Sequence, residues 1–245
     1  MIDDAAGDGL ARPGSLKQIE RTSTADTAYH AIRASMLSGE FDPGSQLVEA
    51  HLAGALGISR GPVREALARL RNEGLVEEVL HRGTFVREFT VCDVVDIYNL
   101  RVGVESVAIR LVARRRADTT MLRGLQDQMH AAAATGDLAG VTAHELEFHR
   151  QLCLASENPY VASAFNSLAG QIQMAVAMDN AAYADLGEVP REHTPLIAAV
   201  EAGDEALAVQ RIGEHIVGTV DALLHRHGDT PEAGAARDRL LRPAT

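Results

Sequence analysis

A chain of 245 residues with 46% apolar residues has material for two domains or one large one, and enough to bury a real core. Aromatic residues reach only 4% and tryptophan is absent, so the core must be Leu, Val, Ile and Ala, which favours packed helices over a β-sandwich. The net charge of −11 excludes a general nucleic-acid coat, yet it is compatible with a sequence-specific reader whose positive charge sits on one face.

Residues 1–20 carry no periodic apolar pattern and read as a flexible arm. No apolar run reaches transmembrane length, and the opening MIDDAAGDGLARPG has no signal-peptide character. Cys92 and Cys153 are the only cysteines, so a disulfide framework is not expected and a reduced cytoplasmic location fits.

The first helix is predicted from about Thr22 to Ser38, with Ala28, Ile32, Met36 and Leu37 inward, Gly39 as its stop and Phe41–Gly44 as a turn. The stretch Leu52–Val79 then organises the N-terminal part. Leu52, Ala53 and Leu56 form a stripe that Gly57 ends. Ser59 is a good N-cap, and Pro62 sits in the first turn, where a missing N–H costs little. Val63, Ala66, Leu67 and Leu70 follow at helical spacing. A short helix, a glycine turn and an arginine-bearing second helix describe a helix-turn-helix.

From Ser59 to Arg71 four arginines face one acid, Glu65, against the acidic background of the chain. A solvated arginine face on an ordinary helix explains the charge equally well. The turn, the cap and the proline together favour DNA, where arginines at the start of such a helix fork onto guanine. Val76–Leu80, His81-Arg82-Gly83 and Thr84–Phe89 read as strand, turn and strand, a two-stranded wing. Thr90 is the expected N-cap and domain boundary, placing a winged helix-turn-helix at residues 21–89.

From Val91 onward the sequence shows no strand pattern. Helices are predicted at Val91–Arg115, Thr119–Ala134, Asp137–Ala155, Tyr160–Met178, Pro190–Ala202 and Glu205–His225, with a loop over Asp179–Glu188. This is an antiparallel all-helical bundle over residues 90–227, followed by a tail at 228–245 read as mobile. The expected fold class is therefore mainly α.

Four ligand-type residues fall on inward faces of that bundle. Glu145 and His149 are four apart and share a face with Leu138, Val141 and Leu152. His193 lies with Leu196, Ile197 and Val200, and His215 with Ile212 and Thr219. These two histidines stand ten and twelve residues from the turn at Gly203, so an antiparallel pair levels them about 15–18 Å from it. Three imidazoles and a carboxylate in one interior suit a divalent ion, with Zn, Ni, Fe and Mn left open. The alternative is four separate core polar residues. An ion accepting five or six ligands leaves positions for effector oxygens. His130, His144, His225 and His227 show no such pairing and read as surface residues.

The segment SRGPVREALARLRNEGLV, with the helix around Tyr29–Leu37, the Pro43-Gly44 turn, Leu47–Glu49 and Gly83–Val86, resembles the GntR family of bacterial transcription regulators. The resemblance implies a winged helix-turn-helix that binds an inverted-repeat operator as a homodimer. Its base and phosphate contacts fall at Ser59, Arg60, Gly61 and Arg64, with the wing tip at Arg82-Gly83. Ala50 stands where several relatives carry an arginine, so any base contact from that position is absent.

Residues from about Val91 to Leu224 resemble the FCD ligand-binding domain of the FadR branch, through Ile97–Arg101 with Glu105, Glu145–His149 with Ser156 and Asn158, Glu192-His193 and Gly213–His215. The resemblance implies a metal held by Glu145, His149, His193 and His215, with Glu145 in place of the usual Asp. It also implies a small carboxylate effector. Arg101 matches a cavity-facing position and can pair with that carboxylate; an ion pair with Glu105 is the equal alternative. The resulting expectation is a regulator, a repressor in preference to an activator, with no membrane partner and no enzymatic role. A metal sensor without an organic effector, or a metalloenzyme built on the bundle, are the competing readings.

Overall fold

The computed structural model describes residues 23–37, 40–180 and 183–241. The expected arm at 1–20 and the glycine stop at Gly39 lie outside them. Helix α1 (Thr24–Leu37) starts where the Ser23 hydroxyl accepts the Asp26 N–H and the Asp26 carboxylate accepts the Ser23 N–H. Its buried residues Ala25, Ala28, Tyr29, Ile32 and Met36 recur at helical spacing and pack on α3 (Arg60–Asn72). Between them lie β1 (Gln46–Leu47) and α2 (Glu49–Leu56). Gly57 closes α2 at φ 66°, a left-handed conformation that glycine adopts without steric cost.

The wing differs from the expectation. Strands β2 (Val76–Val79) and β3 (Gly83–Val86) pair antiparallel, Val76 opposite Val86 and Val79 opposite Gly83. Residues 46–47 add β1 on the other edge of β3, so the sheet has three strands in the order β1-β3-β2. Two residues preceding a helix carry no alternation by themselves, which is why the sequence shows only two strands.

Thr90 and Asp93 form a capping box that starts α4 (Val91–Arg115), the long central helix of the C-terminal bundle. Helices α5 (Thr120–Ala134), α6 (Leu138–Ala155), α7 (Pro159–Asn180) and α10 (Glu205–Arg226) pack around it or on one another. The span predicted as one helix from Pro190 to Ala202 is two, α8 (Glu188–Glu192) and α9 (Thr194–Ala202). Pro195 has no N–H to return to the carbonyl four residues back, and the helix breaks there with His193 at the joint.

Residues 231–239, read from the sequence as part of a mobile tail, form helix α11 (Pro231–Arg239). The Thr230 hydroxyl caps it by accepting the Ala233 N–H, and Pro231 stands in its first turn. Ala233 and Ala236 are fully buried in the bundle core, and Asn99 on α4 donates to the Arg239 carbonyl at 2.8 Å.

Each part has its own core. One is built on Ile32, Val63, Leu67, Leu70 and Leu75, the other on Val94, Ile109, Val112, Phe148, Phe165 and Ile216. Helix α7 touches both. Its Gln171 donates to the Glu73 carbonyl at 3.0 Å, its Gln173 accepts from Arg33 at 3.0 Å, and Met174 packs on the N-terminal core. Gly170 faces Leu75 so closely that an added Cβ meets its Cδ1 at 2.9 Å.

Candidate functional site

The first candidate surface is the helix-turn-helix. Ser59, Arg60, Gly61, Arg64, Arg82 and Gly83 are all exposed. Ser59 occupies the N-cap of α3, but its hydroxyl makes no capping bond, contrary to the expectation that it would. A groove between α3 and the wing is lined by Glu49, Arg64, Arg71, Glu78 and Thr84. The four arginines of α3 differ in their commitments. Arg69 lies 4.1 Å over the Tyr29 ring and pairs with Asp26, so it serves the α1–α3 contact. Arg71 pairs with Glu78 of the wing. Arg64 makes two parallel bonds to Glu49, at 3.0 and 2.9 Å. His81 at φ 62° and Gly83 at φ 108° turn the wing tip, and Gln46 braces it by donating to the Arg82 carbonyl at 2.6 Å.

The second is inside the bundle. Glu145, His149, His193 and His215 each present a ligand atom, all within 4.8 Å of one another. Glu145 and His149 come from α6, His215 from α10, and His193 from the break between α8 and α9. Three imidazole Nε2 atoms converge: His149 lies 3.4 Å from His193 and 3.3 Å from His215. The partners of the other ring nitrogens place a hydrogen on Nδ1 of two rings. His193 Nδ1 donates to the Val189 carbonyl at 2.8 Å, and His149 Nδ1 donates to the Glu105 carboxylate at 2.5 Å. Both rings therefore turn Nε2 toward the same point. With His215 Nε2 and the Glu145 carboxylate they form a donor set of the type that holds a divalent ion.

Burial and the neighbouring charged groups support the same donor set. Burial first, and the neighbouring His149 second, push His193 down to about 3. Burial also holds His215 well below its ordinary range, with His193 and His149 adding to it. Both rings are neutral near pH 7, the form in which an imidazole can coordinate a metal. Glu105 is fully buried and bridges His149 to Arg101, whose Nε donates to it at 2.8 Å. Burial opposes its charge, but His149 and Arg101 outweigh that and hold Glu105 at about 2.

Arg101 thus makes the ion pair weighed from the sequence, and still keeps Nη2 buried with no hydrogen-bond partner among the described residues. It lies close enough to the cluster to disfavour charge on both His193 and His215. A cavity of about 360 Å³ opens beside His215, lined in part by Glu192, Leu196, Arg211, Glu214 and Thr219. These residues fit a divalent ion and a small ligand next to it: the donors are of the right type, and the buried Arg101 Nη2 lacks a hydrogen bond among the described residues, while His215 Nδ1 has only the Glu192 carboxylate near it, at 3.6 Å.

Sequence reasoning missed Glu105 as the support of His149, although its place four residues after Arg101 marks the two as helix neighbours. It also missed the Val189 carbonyl, which no side-chain pattern signals. Among the other histidines, His130, His225 and His227 are exposed and His144 is half-buried.

A winged helix joined to a helical bundle with a polar interior defines a DNA-binding regulator carrying a ligand-binding domain. The model of the bacterial regulatory proteins of the gntR family matches residues 24–86, and that of the FCD domain matches residues 96–218. The chain belongs to the GntR family of bacterial transcriptional regulators, with an FCD effector-binding domain. It is 31% identical over 218 residues to a protein of Paenarthrobacter nicotinovorans named "Probable D-xylose utilization operon transcriptional repressor", covering 89% of this chain and 96% of that one. The Nta operon transcriptional regulator of Aminobacter aminovorans is 29% identical over 206 residues, covering 80% and 97%. The solved structure of E. coli McbR/YncC superposes with a TM-score of 0.72 at 21% identity, over 85% of this chain and 100% of that one, which shows the shared fold. The family and these relatives are regulators, which decides against the metalloenzyme reading. No helix among the described residues is long and apolar enough to cross a membrane.

Proposed function

We propose that this regulator is a cytoplasmic repressor that binds an inverted-repeat operator as a homodimer and is controlled by a small carboxylate bound at a metal site. Residues 21–89 form the DNA-binding unit, with Ser59, Arg60, Gly61, Arg64, Arg82 and Gly83 as its contacts. Residues 90–227, extended by α11, form the sensing unit. Two relatives whose names include repressor support the sign of regulation: the Paenarthrobacter protein above and the gluconate operon repressor of Bacillus licheniformis. Two-fold symmetry of a winged-helix dimer imposes a palindromic site.

Glu145, His149, His193 and His215 hold one divalent ion in this reading, which supplies a Lewis-acid anchor for effector oxygens. The observation that carries it is the convergence of three imidazole Nε2 atoms, His149 at 3.4 Å from His193 and 3.3 Å from His215, beside the buried Glu145 carboxylate. Glu105 holds His149 in the required tautomer, and the spare Nη2 of Arg101 takes a second charged group of the effector. Effector binding shifts the bundle's equilibrium, and α7 carries the shift to α1 and the end of α3 through Gln171, Gln173 and Met174.

The test is thermal stabilisation by a panel of small carboxylates, before and after chelation and metal restoration. A carboxylate that stabilises the metal-loaded protein and loses its effect on chelation is the expected result. Equal stabilisation of metal-free protein contradicts the anchoring role.

A further inference from the structure

We infer that Glu49 is a positioning residue for DNA reading: it holds one edge of the Arg64 guanidinium so that the opposite, outer edge meets a single guanine in each half-site. The inference rests on the reading that Arg64 faces DNA.

A guanidinium has five N–H donors in a fixed plane. Glu49 takes two of them, Nε–H through Oε1 at 3.0 Å and one Nη2–H through Oε2 at 2.9 Å. Both carboxylate oxygens are engaged along one edge. The remaining hydrogens are the two on Nη1 and the second on Nη2. An adjacent pair of these forms the outer fork, whose spacing matches O6 and N7 of guanine. One guanidinium therefore holds Glu49 from the side and guanine from the end without sharing a hydrogen.

The placement is built from two elements. Glu49 opens α2, where the amide end of the helix favours a carboxylate, and Arg64 stands on the second turn of α3. Arg64, and more weakly Arg60, hold the Glu49 carboxyl below its ordinary range, so it is charged at neutral pH. The Arg64 side chain is 70% exposed and that of Glu49 34%. An ion pair this open adds little to stability. What it does is restrict a side chain that otherwise has many rotamers, so less freedom is lost when the base is met. Arg71 and Glu78 share the groove but touch through a single nitrogen, without the parallel fork.

The sign of the effect separates this role from a plain surface acid. Glu49 puts negative charge on a face that meets phosphates, so its removal tightens non-specific binding by electrostatics alone. A surface acid, or a carboxylate that merely competes with DNA for Arg64, predicts tighter operator binding as well. A positioning residue predicts the reverse on the operator.

The experiment uses the full chain and an operator selected by it from randomised duplexes. Each guanine is replaced in turn by 7-deazaguanine, which lacks the N7 acceptor. Wild type is expected to lose about tenfold in affinity at one guanine per half-site, within the worth of a good bidentate contact. Arg64→Ala and Glu49→Gln should both shrink that penalty to about threefold or less. Glu49→Gln should also weaken operator binding, tighten binding to random duplex and leave the melting temperature unchanged. Glu49→Asp, which keeps the carboxylate one methylene shorter, should restore part of the penalty. A full 7-deazaguanine penalty in Glu49→Gln, tighter operator binding, or no sensitive guanine in wild type overturns the inference. Unchanged operator affinity in Arg64→Ala overturns instead the reading that Arg64 contacts DNA.

Discussion

Replacing Glu105 by Gln tests the support beneath the proposed metal site. The carboxylate is fully buried and accepts from two groups, Arg101 Nε at 2.8 Å and His149 Nδ1 at 2.5 Å. A glutamine is nearly isosteric, so packing is kept. Its amide oxygen can accept only one of the two bonds, and its NH₂ then faces the other donor. The Arg101 guanidinium, 2% exposed, also loses its countercharge. Removing one partner of a buried pair typically costs about 3–5 kcal/mol. For a protein of this size that lowers the melting temperature by about 10 °C. A second effect is separate: loss of the group that orients a ligating histidine weakens metal binding by about 10–100-fold. Denaturant unfolding of the chelated protein reads the first, and competition with a chromophoric chelator reads the second. Wild-type stability together with wild-type metal affinity in Glu105→Gln would refute the bridging role. Lowered stability with unchanged affinity would confine Glu105 to the fold.

Arg60→Ala should weaken operator binding by about tenfold in gel-shift titration, with no change in melting temperature, because the side chain is exposed at the start of α3. Light scattering at operator-binding concentrations should give a dimer, and inverting one half of the selected site should abolish tight binding; a monomer contradicts the two-fold arrangement. Ala236→Leu adds volume where α11 meets the bundle core with no exposed surface, and should cost about 1–3 kcal/mol in denaturant unfolding. An unchanged midpoint in that variant means that α11 does not dock in solution.

The parts legible in the sequence were those with a local signature. The helix-turn-helix announced itself through Gly57, Ser59 and Pro62, and the start of the long central helix through Thr90. The four ligand-type residues could be brought together from helical register and one turn, because Gly203 fixes how far His193 and His215 lie from a common point. Their convergence survived an error in the element that carries His193. That residue sits at a break made by Pro195, and the ring is aimed by the Val189 carbonyl instead of by helix register.

Other features were hidden for physical reasons. Helix α11 buries only alanines, which carry no hydrophobic periodicity strong enough to mark a face, although Thr230-Pro231 was a readable start. Strand β1 exists only because β3 lies beside it. The role of Glu105 depends on which side chain on α6 it meets, 44 residues away, and no local pattern states that. Ser59 marked the start of α3 without making the bond that normally explains such a cap.

One divalent ion held by Glu145, His149, His193 and His215 is the feature on which effector control depends. Elemental analysis of the purified chain, compared with His149→Ala/His193→Ala, addresses it most directly. Wild type should carry about one equivalent of a divalent transition metal per chain, removable by chelation, and the double variant none, with operator binding retained by its separate winged helix. Full occupancy in the double variant would place the metal elsewhere and rule out these four ligands.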